Sequence, residues 1–494
     1  MRPNPLTAFA TAFSLGLMTL PASAQTTPAD LLAEWQQSFS DADQALEFAD
    51  REDVPGGLRL TDVTTALPVQ GGKLRITVPE ITLTDTGGGD VQIEMPNAIL
   101  MVLTTDEATI AGRLTHEALD LIAGGTTEAR TYSYNAARAD YVLDAATDDD
   151  GTPIPLEMSI TMEELATDYT ADGMRLTSDY TLGAMQIDLS GEDDTDGPPT
   201  SFSLNYRMTG ISGDSDAPAG TMFQSADPSA IFESGASLTG TLIHSGTGYT
   251  FESAGPDANM LLDGSSAGGA LGVALGEQGL AYDIAAQDVK WRFAGDQLPF
   301  PVELGLDSVG FDIRTPILAN PEPQAFGLRL SLNGLTASNG LWSLFDPSEV
   351  LPRDPGEILI DLSGTQRVLQ TLTDADTDNL TIPFEFTSLN LNDLLVSIVG
   401  AQLSGEGSFE LDPNAPGMVP GVPAAVGSLE LRLNGANALI DRLVQIGIMQ
   451  PQDVMGMRMM MGMAARPGDT PDSLVSTIQL TPDGSLIANG MQLR

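Results

Sequence analysis

After Pro55-Gly56-Gly57 the hydrophobic period of this chain becomes two, and no other property restricts its fold as much. Leu58-Arg59-Leu60-Thr61-Asp62-Val63 alternates, as do Lys73-Leu74-Arg75-Ile76-Thr77-Val78, Val91-Gln92-Ile93-Glu94-Met95 and Ser201-Phe202-Ser203-Leu204-Asn205-Tyr206. Successive side chains of a strand point to opposite faces, so alternation makes one dry face and one wet one. Clusters such as Asp85-Thr86-Gly87-Gly88-Gly89-Asp90 and Asp148-Asp149-Asp150-Gly151 separate the runs and are turn sequences. Further strands are expected around Ala281–Trp291, Val302–Ile313, Phe326–Leu332, Ile358–Leu362, Ile382–Leu391 and Ser408–Leu411. The predicted class is mostly β (α+β), with long curved antiparallel sheets, an N-terminal helix and a helical pair near the C-terminus.

The helices are legible from a different period. Thr27 suits a cap, Pro28 the first helical position and Asp30 the acid three residues on. Leu31, Leu32, Trp35, Phe39, Ala42 and Leu46 then recur on one face. Near the other end Asn437–Ile446 carries Leu439, Ile440, Leu443 and Val444 on one face, and Pro451 starts a second helix stopped by Pro467-Gly468. A last hairpin is expected between Leu474–Leu480 and Leu486–Leu493. Residues 191–200 and 213–220 are acidic, proline-bearing and poor in apolar residues, which marks them as linkers. The expected division is therefore 25–220 and 221–494, the latter ending in a helical pair (435–465) and a hairpin (473–493). Leu330-Ser331-Leu332-Asn333-Gly334 and Leu431-Arg432-Leu433-Asn434-Gly435 hint at a repeat in which a strand ends on Asn-Gly.

The first 24 residues have the layout of a secretory signal peptide: Arg2, an apolar run from Phe9 to Leu20, and Ala22-Ser23-Ala24 before Gln25. A periplasmic location with cleavage after Ala24 is expected, with no lipid attachment at that point because no cysteine follows. No later apolar run reaches the ~20 residues of a membrane-spanning helix, so no integral membrane segment is expected after cleavage. The formal net charge is −47 at pH 7, and Lys73 and Lys290 are the only lysines. Such a balance opposes nucleic-acid and anionic-headgroup binding. Cysteine is absent, which excludes disulfides, thiol catalysis and thiolate metal sites.

Several short motifs compete with plain turns. Gly264-Ser265-Ser266-Ala267-Gly268 matches G-x-S-x-G, but His116 and His244, the only histidines, precede it, against the order of that hydrolase class. Asp85-Thr86-Gly87 is an aspartic-protease tripeptide without a second copy. Asp374, Asp376, Asp378 and Glu385 stand at positions 1, 3, 5 and 12 of a calcium loop, with Asn379 where glycine belongs. In so acidic a chain such spacing also arises by chance. Met449, Met455, Met457, Met459, Met460, Met461 and Met463 could offer thioethers to Cu(I), but a pliable core helix or a soft binding surface explains them better. No catalytic residues, no cofactor and no P-loop are predicted.

One stretch resembles a known family. Gly427–Asp441 (GSLELRLNGANALID), Met457-Arg458-Met459-Met460-Met461-Gly462 and Ala488-Asn489-Gly490-Met491-Gln492 resemble segments of the domain of unknown function 2125 family, exported proteins of Gram-negative bacteria. The helix with Trp35, Leu341–Pro347 (LWSLFDP) and Leu351–Pro355 (LPRDP) are similar as well. The family has no established activity, so the resemblance implies no catalytic residue. It implies a distant likeness to envelope proteins of repeated strands and amphipathic helices, some of which handle lipid. The function expected is a non-enzymatic periplasmic protein that binds an apolar, lipid-like ligand or an envelope protein partner. A carboxylate-dependent hydrolase of envelope material and a purely structural or adaptor protein are the alternatives.

Overall fold

The computed structural model describes residues 26–41, 44–69, 71–193, 199–218, 237–256, 258–372, 384–417 and 423–492. Strand makes up 68% of the described residues and helix 10%, in antiparallel sheet, as the alternation requires. The chain divides into two compact units, up to Leu262 and from Asp263. Residue 220, where the sequence suggests a boundary, lies outside the described residues.

In the first unit, α1 (Pro28–Asp41) is followed by β1 (Asp50–Val54), β2 (Gly57–Val69), β3 (Gly72–Asp85), β4 (Val91–Glu94), β5 (Ala98–Thr105), β6 (Ala108–Glu117) and β7 (Asp120–Thr126). Then come β8 (Ala129–Asp148), β9 (Leu156–Ala171), β10 (Arg175–Asp193), β11 (Thr200–Pro218), β12 (Leu238–His244) and β13 (Gly246–Ala254). β4 and β5 are two halves of one line along β3, and β7 and β6 two halves of one line along β8. The result is a meander. Pairing is interrupted at single positions with the register kept: Asp62 (φ 50°), Glu164 (φ 55°) and Gly210 (φ 56°) have left-handed backbone and fall between paired residues on either side.

Thr27 caps α1 as expected: its Oγ1 accepts the Asp30 amide at 3.2 Å and donates to the Asp30 carboxylate at 2.6 Å. Leu31, Leu32 and Trp35 are buried against Leu60, Leu83, Val91, Ile93, Leu121 and Tyr132. The helix stops at Asp41, before Leu46, which packs on the same core from the following segment. Gly213–Pro218 is not a linker but the end of β11, paired with β10 and, over residues 213–216, with β12. Backbone pairing overrides its polar composition. Of the other expected linker, 191–193 closes β10, and 194–198 lie outside the described residues.

The second unit begins within β14 (Asn259–Ser266) and continues through β15 (Gly268–Gly276), β16 (Gly279–Gly295), β17 (Val302–Thr315), β18 (Asn320–Ala337), α2 (Asn339–Ser343), β19 (Gly356–Val368) and β20 (Phe384–Ile398). It ends with β21 (Ala401–Pro416), β22 (Pro423–Asn434), α3 (Ala436–Gln445), α4 (Pro451–Ala464), β23 (Arg466–Pro467), β24 (Ser473–Leu480), β25 (Leu486–Ala488) and β26 (Met491–Gln492). The expected strands are present and longer than their apolar cores, with residues 382–383 of the one expected at Ile382–Leu391 lying outside the described residues. Two expectations are corrected. Gly334 does not end its strand: β18 bulges there (φ 68°) and runs on to Ala337. The strand after Leu486 breaks at Asn489-Gly490, where positive φ (50° and 82°) turns the chain back.

Candidate ligand-binding site

The strand parity of the first unit brings aromatic side chains together. On β8, Arg130, Tyr132, Tyr134 and Ala136 share one face, and on β9 Leu165, Thr167, Tyr169 and Ala171 stand opposite them. Ile81 on β3, Ile93 on β4, Met95, Leu121 on β7 and Leu176 on β10 extend that surface, and Trp35 of α1 closes over it. The space enclosed is a cavity of about 140 Å³. None of its lining residues is charged. Trp35 Nε1 donates to the Tyr132 hydroxyl at 3.4 Å. Burial pushes the Tyr132 phenol far above its ordinary range and that of Tyr134 up to about 12; Tyr169 is raised for the same reason. All three stay neutral at physiological pH, so the cavity offers apolar surface and little else.

What holds α1 over the cavity is a buried ion pair. The Arg130 guanidinium gives Nε to Glu34 Oε2 at 3.0 Å and Nη2 to Glu34 Oε1 at 2.6 Å. Its remaining nitrogen donates to Thr26 Oγ1 and to the Gly124 carbonyl at 2.9 Å. A charge so buried is tolerable only when every donor is used. Sequence reasoning missed this pair. Its signal was an arginine occupying the same strand parity as Tyr132 and Tyr134.

The second unit carries a broader apolar surface. Val309, Leu332, Ile358, Val396, Leu403, Leu433 and Leu474 are successive register partners across seven strands. A parallel row runs through Ile313, Leu328, Leu362 and Leu391. The extra residue at Asn392-Asp393 lets Leu391 and Leu394 both keep to this face. These side chains are half-buried, whereas Asp283, Asp312, Arg314, Arg329 and Asp361 occupy the other face.

The motifs singled out from sequence fall elsewhere. Asp374, Asp376 and Asp378 lie outside the described residues, and Glu385, at the start of β20, stands 3.9 Å from Arg367. Among the described residues no group of three His, Asp or Glu side chains is placed to hold a metal ion. The turn expected at Gly264–Gly268 is not one: Gly264–Ser266 end β14, Gly268 begins β15, and the Ala267 amide between them donates to the Gln287 carbonyl of β16 at 2.9 Å, whereas Asp85 Oδ1 accepts the Gly87 amide at 2.7 Å in the turn after β3. His116 is buried with Nε2 2.9 Å from the Pro96 carbonyl, where β4 gives way to β5. His244 ends β12, its basicity lowered by desolvation against a hydrogen bond with Gly246. Asp283 and Asp312 do face each other: they are register partners on the polar sheet face, with Arg314 3.0 Å from one and 3.2 Å from the other, and the neighbouring Asp312 raises the Asp283 carboxyl. Tied to one arginine on a solvent-reached sheet face, they are ordinary surface ion partners.

The Leu341–Pro355 segment is a tight knot. Asp346 is fully buried and accepts the amides of Val350 (2.9 Å) and Leu351 (2.8 Å). Arg353 lies over the Trp342 ring at 5.6 Å and donates to the Asp346 carbonyl at 3.2 Å. Burial works to raise the Asp346 carboxyl, but the two amides and Arg353 hold it below the usual range. Its role is architectural.

A family model described as "Uncharacterized protein conserved in bacteria (DUF2125)" matches residues 229–490. No curated protein and no solved structure matches the chain.

Proposed function

Since the chain belongs to the DUF2125 family of uncharacterised bacterial proteins, we propose from its own geometry that it is a non-enzymatic binder of an apolar, lipid-like molecule, working in the periplasm after export. The observation that carries this reading is the uncharged cavity between Trp35 and the aromatic face of β8 and β9. Pockets of mainly apolar lining with few polar groups are what small apolar ligands need. The half-buried apolar rows of the second unit fit the same reading, because contiguous apolar surface that is not fully sealed marks an interaction site. Export rests on the first 24 residues, with their A-x-A site at Ala22–Ala24.

The test is to purify the chain from the bacterium's periplasmic fraction and identify what solvent extracts from it by mass spectrometry. A stoichiometric lipid, lost in a Leu165→Trp variant that fills the cavity, is the expected result. An empty wild-type protein, or a lipid content unchanged by Leu165→Trp, would remove the cavity as a binding site. A mature chain that keeps residues 1–24 and fractionates with the cytoplasm would remove the location.

A further inference from the structure

The helical hairpin between β22 and β24 is anchored by one helix and exposed on the other. Ala436 and Ile440 bury α3, whereas α4 has no buried residue. Val454, Met457 and Met461 are half-buried. Met455, Met459, Met460 and Met463, with Ile448 in the loop before α4, are 57–76% exposed. At 100° per residue the four methionines fall within an arc of about 140°. The hairpin is cross-tied by Arg458 to Asp441 at 2.6 Å, so this face is presented on a fixed scaffold.

Charge sets this surface apart. In a chain of net charge −47, residues 436–466 hold two acids, Asp441 and Asp453, against three arginines, Arg442, Arg458 and Arg466. The rest of the molecule is repelled by phosphate headgroups, and this hairpin is not. A second copy would bring another body of the same large negative charge to the contact. A bilayer surface instead takes apolar side chains below the headgroups and leaves arginines among the phosphates. Unbranched thioether side chains suit such a fluid, uneven surface.

We propose that the α3–α4 hairpin is a membrane-surface contact, in which Ile448 and the exposed face of α4 sink into the headgroup region of a phospholipid bilayer. This contact is independent of the cavity in the first unit, and either can fail without the other.

The full chain is tested by flotation with vesicles of phosphatidylethanolamine and phosphatidylglycerol. Wild-type protein is expected to float with the vesicles, and a Met455→Gln/Met459→Gln/Met460→Gln/Met463→Gln variant to bind about tenfold less, since binding scales with buried apolar area. The four positions are exposed, so the variant should keep its thermal midpoint and circular dichroism. The corresponding four-leucine variant should still float. Failure of wild-type protein to bind overturns the proposal, as does equal binding by the glutamine variant. Loss of binding in the leucine variant overturns it in favour of a thioether-specific partner such as Cu(I). A concentration-dependent dimer, abolished by the glutamine changes and seen without vesicle binding, overturns it in favour of a second copy.

Discussion

Glu34 on α1 and Arg130 on β8, 96 residues apart in the chain, meet in a two-point ion pair of 3.0 and 2.6 Å beneath the helix. Their side chains are 11% and 5% exposed, so solvent screens them little. Losing one partner strands the other as an uncompensated buried charge, which costs about 3–5 kcal/mol. Glu34→Leu is therefore expected to destabilise the first unit by that order. Glu34→Leu/Arg130→Leu should recover part of the loss, because both charges leave together. Urea unfolding of the single and double variants reads the coupling directly, and strictly additive losses would mean the pair is not a clamp.

The cavity tyrosines make an alkaline prediction. Tyr134 is held up to about 12, and Tyr132 and Tyr169 are raised as well, in each case chiefly by burial. An unfolded tyrosine ionises near about 10. A folded pKa above the unfolded one means a contribution fully present below pH 10 and lost as pH rises through the folded value. Ultraviolet titration should find Tyr132 and Tyr134 still protonated at about pH 11 in folded protein, with Tyr169 ionising later than an unfolded tyrosine and stability already falling. Removing the cover by Trp35→Ala should bring Tyr132 back toward its ordinary value.

How much of this was legible follows from which forces act locally. Alternation sets strand identity, so runs such as Lys73–Val78 and Phe326–Leu332 were visible, and Thr27-Pro28 marked the start of α1 correctly. Strand ends were not visible, because backbone pairing carries polar stretches such as Gly213–Pro218 into the sheet without a hydrophobic signal. The left-handed positions Asp62 and Glu164, where pairing is interrupted, were hidden for a related reason: they depend on how two strands meet, not on the residue itself. The cavity follows from parities on β3, β4 and β8–β10 converging under α1, which no single window of sequence contains. The methionine cluster was visible as a cluster, but its exposure is set by how α3 and not α4 packs on the sheet.

Asp472 is expected to act as the N-terminal cap that α3 lacks in its own sequence. Gly435 stands at the cap position without a side chain, and Asp472 accepts the amides of Asn437 (3.0 Å) and Ala438 (2.9 Å) and the Asn437 side chain (2.8 Å). Partial burial works to raise its carboxyl, and the amides of Ala438 and Asn437 more than reverse that, leaving it below the usual range. Capping a helix and facing its positive end are together worth about 1–2 kcal/mol. Asp472→Ala should cost that much at neutral pH. A depressed folded pKa contributes stability that is present above the unfolded value near about 4 and lost as pH falls through the folded one. The gap between variant and wild type in urea midpoint should therefore narrow in acid. A gap that stays constant down to about pH 2 would mean the Asp472 charge is not what caps α3.

The two Asn-Gly sites of the apparent repeat make a paired prediction. Both glycines have left-handed φ, 68° at Gly334 and 74° at Gly435, so alanine is strained at either. What surrounds them differs. A Cβ on Gly435 would sit 2.5 Å from the Gly400 carbonyl oxygen, which is backbone and cannot turn aside. A Cβ on Gly334 would meet the Asp307 side chain, whose carboxylate can rotate away but whose Cβ, 2.8 Å off, must shift with its strand. Alanine at positive φ costs more than about 1 kcal/mol. Both changes should exceed that figure, Gly435→Ala by more, because it pulls β22 and α3 away from the β20–β21 turn. Hydrogen exchange at the Leu439 amide, which bonds the Gly435 carbonyl at 2.9 Å, locates the damage. Faster exchange there in Gly435→Ala but not in Gly334→Ala is expected; equal effects would mean φ alone, not the neighbouring backbone, sets the cost.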